Sequence, residues 1–206
     1  SVSEMSVLKS SSKEPTFKVA AIDCGMKKSI VTRLNDLGCD VLRFPVGVDA
    51  KTILDSGAQG LFLSNGPGDP EPVEAVIKTI QLCLGKLPIF GICLGHQLLG
   101  LALGAKTYKM DFGHHGSNHP VKYLKTGHVE ITAQNHGFCL DRSDFKALGI
   151  KETHVNLYDG SNEGIMHTKY NAFSVQYHPE SAPGPHDSHY LFEQFVEHMK
   201  ESYVLH

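Results

Sequence analysis

Short apolar runs alternate with longer amphipathic segments over the first half of the chain. The run Phe17–Asp23 predicts a buried strand, and the segment 26–37 repeats apolar residues at helical spacing before Gly38. The same alternation continues, and we predict strands at 39–44, 60–64 and 87–92 and helices at 49–56, 72–84 and in the apolar stretch 98–104. Strands that alternate with helices in this way pair in parallel through right-handed crossovers. The pattern therefore predicts an α/β fold with a three-layer, mostly parallel sheet and flanking helices.

Beyond Gly104 the apolar runs become short and alternate with polar residues. We predict a few added, partly antiparallel strands there, at 105–110, 119–124, 128–132, 153–158, 164–168 and 173–177. The stretch 187–201 carries an apolar stripe at helical spacing behind Asp187, a good N-cap residue, and predicts a last helix. The first 16 residues are rich in Ser and Lys without an apolar core, so we predict a disordered linker or tail over 1–16 and a single domain over 17–203.

Composition narrows the possible partners. The chain has 206 residues, 41% of them hydrophobic, and a formal net charge of −3, which gives no basic surface for nucleic acid or an anionic membrane. No apolar run approaches the roughly 18 residues of a membrane span. The five cysteines are an odd number without a CxxC pair, and this favours a reducing, cytoplasmic location.

The segment 91–97, Gly-Ile-Cys-Leu-Gly-His-Gln, joins a predicted buried strand to a predicted helix. A reactive residue between glycines at a strand-to-helix turn is the arrangement of a nucleophile elbow, so we predict Cys93 as a catalytic nucleophile. The N–H of Leu94 then becomes an oxyanion donor. Gln97 follows Cys93 by one helical turn and is expected to face the same opening.

A nucleophilic cysteine needs a base and a group that orients the base. His178 follows a predicted strand, at the end where α/β sites gather. In an extended chain residues two apart point the same way, so Glu180 can lie beside the imidazole and complete a Cys93–His178–Glu180 triad. Taken alone, the His-Pro-Glu tripeptide is more often a surface turn. His136 competes for the role of base, but no acidic residue stands two positions away from it.

Three polar stretches surround this arrangement in the sequence. The loop 64–70 contains Gly66 and Gly68, whose unobstructed N–H groups offer a second set of oxyanion donors. The His-rich stretch 112–119 invites a metal interpretation, but it is Gly- and Asn-rich and lacks an HExxH spacing, so we predict a loop and no metal site. The stretch 133–138 predicts a polar loop at the rim of the substrate site. Neither a Walker motif nor G-x-G-x-x-G is present.

Taken together, GICLGHQ and the downstream HPE resemble the signature of triad, or class I, glutamine amidotransferases. The segments SNGPGDP, GICLGHQLLGLALGAKTYKM, FGHHGSNHPV, TAQNHGF and HPESAPGPHD are similar to the carbamoyl-phosphate synthase branch of that family, over about residues 17 to 198. The resemblance implies a flavodoxin-like fold of the class I amidotransferase type. It also implies that Cys93 attacks the carboxamide of L-glutamine, that His178 transfers protons and that Glu180 orients His178.

The resemblance implies further contacts and partners. Glutamine would be held by Gly66, Gly68, Leu94, Gln97, Asn135, Gly137 and Phe138. This chain would need no cofactor, while ATP, Mg and bicarbonate would be used by a large synthetase chain that receives the ammonia through a tunnel. Members of this branch carry a further N-terminal domain, which we expect to be absent because the sequence begins just ahead of residue 17.

Three alternatives stay open from the sequence. The chain can be the amidotransferase domain of another pathway, of the anthranilate, aminodeoxychorismate or GMP synthase type, with a different ammonia acceptor. It can be a papain-like cysteine hydrolase that acts on peptides. It can also be a non-catalytic regulatory subunit of a synthetase.

Overall fold

One mixed β-sheet runs through the protein. The computed structural model describes residues 5–12, 16–68, 73–181 and 188–204. The strands in these residues are β1 (Ser6–Leu8), β2 (Phe17–Asp23), β3 (Cys39–Pro45), β4 (Gly60–Leu63), β5 (Ile89–Ile92), β6 (Lys106–Tyr123), β7 (Val129–Asp141), β8 (Lys151–Asn156), β9 (Asn162–His167) and β10 (Ala172–Val175). The helices are α1 (Lys28–Asp36), α2 (Ala50–Asp55), α3 (Glu74–Cys83), α4 (Leu94–Ala102) and α5 (Tyr190–Val204). The strand order is β1-β3-β2-β4-β5-β10-β9-β8-β6-β7.

The centre of the sheet is parallel, as the alternating pattern predicts. The strand β2 pairs in parallel with β3 and β4, β4 pairs with β5, and β5 pairs with β10. The strand β10 then pairs antiparallel with β9, and from there to β7 every pairing is antiparallel. The predicted α/β fold with added antiparallel strands is therefore confirmed.

Helices cover both faces of the parallel part. Buried side chains of α2, α3 and α4 join one core cluster, to which β2 contributes Ala20 and Ile22. Buried side chains of α1 and α5 join a second cluster, to which β2 contributes Val19 and Ala21. Successive residues of a strand point to opposite faces, so one apolar strand serves both cores and the sheet becomes the middle of three layers.

The helix boundaries follow local capping chemistry. Asp49 caps α2 by accepting the Thr52 N–H at 2.7 Å. The helix predicted from the apolar stretch 98–104 begins earlier, at Leu94, because residues 94–97 also take helical geometry. The last predicted helix is α5, whereas its proposed cap, Asp187, lies outside the described residues. No helix among the described residues is long and apolar enough to cross a membrane.

Two stretches predicted as loops are strands. Residues 112–119 lie within β6, and residues 133–138 lie within β7, which pairs with β6 as a long antiparallel ribbon. The ribbon has register shifts between Lys109 and His114 and between Gly116 and His119. Gly and Asn are typical of turns, but an exposed ribbon with such irregularities accommodates them. For this reason composition alone gave the wrong prediction.

The predicted linker also contains a strand. Ser6–Leu8 forms β1 and pairs antiparallel with β3, Val7 opposite Leu42. This corrects the prediction for these three residues, while residues 1–4 and 13–15 lie outside the described part of the chain. The strand is too short to give a clear alternating pattern in the sequence.

Candidate active site

Cys93 occupies the turn between β5 and α4. Its backbone angles are φ 54° and ψ −106°, an uncommon conformation that non-glycine residues adopt most often at functional sites. Its N–H donates to the Val175 carbonyl at 3.0 Å, and its carbonyl accepts the Gln97 N–H at 3.2 Å. The predicted strand-to-helix turn is therefore confirmed, and it is bonded to the sheet on one side and to the helix on the other.

The two glycines that flank Cys93 allow a very close approach of backbones. A Cβ at Gly91 would lie 2.6 Å from the Gly95 carbonyl oxygen. A Cβ at Gly95 would lie 2.1 Å from the Leu63 carbonyl oxygen of β4. Both distances are too short for a carbon–oxygen contact, so glycine is required for α4 to start directly against the ends of these strands.

His178 follows β10, the strand beside β5, and its side chain is paired with Glu180. His178 Nδ1 lies 2.8 Å from Glu180 Oε1, and both side chains are buried. The prediction that an extended backbone brings Glu180 beside the imidazole is wrong. Residues 179–181 form a 3₁₀ turn instead, closed by the Ser181 N–H on the His178 carbonyl at 3.2 Å. The predicted contact between His178 and Glu180 is present, but a turn and not an extended chain brings the two side chains together.

The electrostatics of this pair favour a charged imidazole and a charged carboxylate. Burial lowers the pKa of His178, but hydrogen bonds and charge interactions with Cys93 and Glu180 outweigh this and raise the pKa to about 9. Burial raises the pKa of Glu180, but the hydrogen bond and charge of His178 more than offset this and the pKa is lowered. A histidine that interacts with a thiol and is hydrogen-bonded to a carboxylate can shuttle protons for a cysteine nucleophile.

Lys27 brings a second positive charge to the pair and was missed from the sequence. Its Nζ lies 3.4 Å from Glu180 Oε1 and 3.5 Å from His178 Nδ1. Lys27 follows β2 in the loop that leads to α1, and the carboxyl ends of parallel strands meet at one edge of the sheet. The position of Lys27 shortly after a predicted strand is the feature that could have identified it from the sequence.

A cavity of about 410 Å³ has both Cys93 and His178 in its wall, a size typical of small-molecule sites. Glu180 lies behind His178 as its hydrogen-bond partner. The other predicted site residues all line the cavity: Gly66, Gly68, Leu94, Gln97, Asn135, Gly137 and Phe138. The structure thus brings together residues that are spread over more than half of the sequence. Sequence reasoning missed Gly25, Lys27, Asn65, Pro67 and His115.

The glycine loop after β4 meets the start of α4 at the cavity. A Cβ at Gly66 would lie 2.3 Å from the Cys24 carbonyl oxygen and 2.9 Å from Leu94 Cδ2, so only glycine fits. Gly68 has φ +93°, a conformation that favours glycine. Gly66, Gly68 and Leu94 all line the cavity, as expected for a site that stabilises an oxyanion with backbone N–H groups.

Two glutamine side chains connect the elbow to neighbouring strands. Gln97 Nε2 donates to the Phe138 carbonyl and to Gln176 Oε1, both at 3.0 Å. Gln176 Nε2 in turn donates to Cys93 Sγ at 3.8 Å, while the thiol donates to the Asn135 carbonyl at 3.9 Å. Gln176 was missed from the sequence, although it stands two residues before the predicted base.

His136 also lines the cavity, but its environment differs from that of His178. Burial lowers the pKa of His136 to about 4. Its ring contacts His114 and lies near Glu163, and the donor atoms of these three side chains lie within 4.8 Å of one another, close enough to consider a metal. They are already hydrogen-bonded to each other and to protein groups, Glu163 Oε2 for example accepting from Gln134 at 2.9 Å. We therefore treat this cluster as a hydrogen-bonded network, and the absence of a metal site stays a prediction.

Comparison with known proteins identifies the family of this chain. The sequence profile described as glutamine amidotransferase class-I matches residues 20–198. The chain therefore belongs to the class I glutamine amidotransferase family.

Individual curated relatives are about 50% identical in sequence to the chain. The carbamoyl phosphate synthase small chain of Syntrophotalea carbinolica is 52% identical over 189 residues, which is 92% of this chain and 50% of that protein. The chloroplastic carbamoyl phosphate synthase small chain of Oryza sativa subsp. japonica is 49% identical over 187 residues, covering 91% of this chain and 42% of that protein. The chain thus spans about half the length of the curated relatives it matches.

Solved structures support the fold. A glutamine amidotransferase from Thermotoga maritima superposes with a TM-score of 0.64 at 16% identity, over 91% of this chain and 84% of that one. A protein from Thermoplasma acidophilum, described as part of a GMP synthase, superposes with a TM-score of 0.76 at 20% identity, over 92% of this chain and 96% of that one. At these identities the likeness shows a shared architecture only.

Proposed function

We propose that this chain is the glutaminase component of a carbamoyl-phosphate synthase and hydrolyses L-glutamine through a thioester on Cys93. One observation carries the proposal. A buried thiol, a histidine paired with a buried carboxylate, and the residues expected to bind glutamine share one cavity of suitable size.

The first half-reaction starts with a proton transfer. His178 takes the proton of the Cys93 thiol, and the imidazolium that forms is favoured at neutral pH because the His178 pKa is raised to about 9. The thiolate attacks the carboxamide carbon of glutamine, and the carbonyl oxygen becomes an oxyanion beside the N–H groups of Leu94 and the Gly66–Gly68 loop. When the carbon–nitrogen bond breaks, His178 gives its proton to the departing nitrogen, which leaves as ammonia.

Hydrolysis completes the cycle. Neutral His178 takes a proton from water as the water oxygen attacks the thioester carbon, and the carbon–sulfur bond then breaks to release glutamate. Glu180 holds the imidazole in one orientation and stabilises its charged form throughout. Each cycle consumes one glutamine and one water and yields glutamate and ammonia.

The branch of the family sets the acceptor of the ammonia. Relatives at 49% and 52% identity are named carbamoyl phosphate synthase small chains, which supports a large synthetase chain as the partner. In this proposal ATP, Mg and bicarbonate are used by that partner and not by this chain. A reducing, cytoplasm-like compartment suits the reaction, because all five cysteines are free thiols.

The experiment has two stages. Purified chain is first assayed for ammonia and glutamate released from glutamine, with Cys93→Ser as the control, and we expect the variant to lose several orders of magnitude of activity. Equal rates for the two proteins would eliminate the catalytic role and favour the regulatory alternative, and faster peptide cleavage than glutamine cleavage would favour a peptidase.

The second stage identifies the pathway. The chain is mixed with the large chain of a carbamoyl-phosphate synthase, ATP, Mg and bicarbonate, and we expect a faster glutaminase reaction and the formation of carbamoyl phosphate. An active glutaminase that gains nothing from this partner would belong to another amidotransferase pathway.

A further inference from the structure

Gln176 is a fully buried residue beside the nucleophile, one position past the end of β10. Its backbone N–H donates to the Glu163 carbonyl of β9 at 2.9 Å. The residue before it, Val175, accepts the Cys93 N–H at 3.0 Å through its carbonyl. The backbone therefore holds Gln176 and Cys93 next to each other, and Gln176 Nε2 lies 3.8 Å from Cys93 Sγ, within hydrogen-bond distance for sulfur.

The orientation of the Gln176 amide follows from its neighbours. The Phe138 carbonyl, which also faces His136 Nδ1 at 2.8 Å, can only accept, so the side-chain atom of Gln97 that lies 3.0 Å from it is the donor Nε2. The same Nε2 lies 3.0 Å from one side-chain atom of Gln176, which must then be the acceptor Oε1. The other end of the Gln176 amide is its NH₂ group, and this end faces Cys93 Sγ. The hydrogen bonds thus place an N–H donor, and not a carbonyl oxygen, at the sulfur.

The polar groups at the sulfur respond differently to its charge. As a thiol, Cys93 donates to the Asn135 carbonyl at 3.9 Å. When the thiol proton moves to His178, this carbonyl oxygen faces a negative sulfur without a hydrogen between them. The N–H of Gln176, in contrast, then donates to an anion, and such charge-assisted hydrogen bonds are roughly twice as strong as neutral ones. The Gln176 amide therefore stabilises the thiolate more than the thiol.

The sulfur carries a negative charge twice in the proposed reaction. It does so first when its proton moves to His178 and its electron pair attacks the carboxamide carbon. It does so again when the carbon–sulfur bond of the thioester breaks and the electron pair returns to the sulfur, which then recovers a proton from His178. An interaction that strengthens with this charge lowers the barrier and raises kcat, whereas it adds nothing to the binding of glutamine by the thiol form.

We propose that Gln176 is a further catalytic residue: Gln97 orients its amide, and its N–H stabilises the negative charge on Cys93 Sγ. The inference rests on the proposed glutaminase function. It predicts that removal of this donor lowers kcat and leaves KM for glutamine unchanged.

The test replaces Gln176 with Glu and with Met, two side chains of similar size. Gln176→Glu keeps an oxygen that accepts from Gln97 and puts a second, negatively charged oxygen at the sulfur. We expect its kcat at pH 8 to fall about 100-fold or more, with KM within about twofold of the wild type. Gln176→Met has neither donor nor charge, and its kcat should fall about tenfold. Wild-type kcat in both variants, or a change confined to KM, would overturn the inference.

Matched controls separate this effect from a general loss of structure. The same two substitutions at Gln81, an exposed glutamine of α3, should leave kcat and KM as in the wild type. Thermal unfolding of each variant shows whether it is folded. Gln176→Met buries no charge, so it provides the measurement if the buried carboxylate of Gln176→Glu prevents folding.

A reaction that needs no glutamine probes the sulfur directly. Iodoacetamide alkylates thiolates, and modification of Cys93 is followed by mass spectrometry at pH 7. The rate at Cys93 should fall several-fold in Gln176→Met and further in Gln176→Glu, while the rate at the partly buried Cys24 should not change. Equal Cys93 rates in the three proteins would refute the inference even in an active enzyme. Absence of glutamine hydrolysis by the wild type would refute the proposed function and leave this comparison valid.

Discussion

Replacing Glu180 with Gln tests how the carboxylate controls His178. The two side chains are 2.8 Å apart and buried, and the pKa of His178 is about 9 in their presence. Removing an adjacent negative charge typically lowers a histidine pKa by about 1–3 units. Lys27 favours the larger shifts in this range, because its positive charge, with Nζ 3.5 Å from His178 Nδ1 in the wild type, disfavours protonation of the imidazole. We therefore expect the variant His178 to titrate between about pH 6 and 8.

The expected effect on activity follows from the charge of the His178 imidazole before the reaction. The alkaline limit of kcat/KM should move from near pH 9 to the new His178 pKa. At pH 7, kcat should fall by about 10²–10⁴-fold, as when the orienting acid of a triad is neutralised. The assay is glutamate release from pH 5 to 10, combined with NMR titration of the His178 ring. The matched control is Glu193→Gln, at an exposed carboxylate of α5.

Stability gives an independent check of the same shift. A histidine whose folded pKa is raised from 6.5 to about 9 stabilises the fold fully below pH 6.5, and this contribution is lost as the pH rises through 9. Glu180→Gln should therefore lower the free energy of unfolding more at pH 6 than at pH 10. An unchanged His178 titration, or equal destabilisation at both pH values, would refute the proposed coupling between the two residues.

Three further substitutions test the packing around the site. Gly95→Ala should lower the free energy of unfolding in urea by about 3 kcal/mol or more, because its Cβ would lie 2.1 Å from a carbonyl oxygen, whereas Gly47→Ala, with open space around it, should be nearly neutral. Glu130→Gln should raise the melting temperature at pH 8 but not at pH 4. Burial raises the pKa of Glu130, so its charged form is unfavourable in the fold. A loss of stability at pH 8 would contradict this. Gln97→Leu removes the donor to the Phe138 carbonyl and should raise KM for glutamine about tenfold, and an unchanged KM would argue against that contact.

The strands of the parallel core could be predicted because each carries one unbroken apolar run. The strand Phe17–Asp23 has the predicted boundaries, since its residues are almost all buried on two faces. The β6–β7 ribbon could not be predicted as a continuous unit, because its central residues are polar, irregular and partly exposed. Local composition resembles that of a loop there, and only the pairing of two distant segments makes it a ribbon.

The residues of the candidate site also divide into those that a local pattern predicts and those that depend on the sheet order. Cys93 was predictable because the elbow is a local pattern, with both glycines within two residues of it. Lys27 and Gln176 were not, because their roles depend on which strand ends meet, and that is a property of the sheet order. Glu180 was found for the wrong reason, since spacing of two residues brings side chains together in a 3₁₀ turn as well as in a strand.

The order of the sheet also links heat inactivation to unfolding. Cys93 follows β5 and His178 follows β10, and these adjacent strands are hydrogen-bonded in parallel with Ile92 opposite Val175. The buried ladder at the centre of the sheet therefore positions the segments that carry the thiol and the imidazole. We expect these two segments to stay together until the central sheet itself melts. Amide protons of β5 and β10 should exchange only through global opening, and the temperature at which activity is lost should coincide with that of cooperative unfolding.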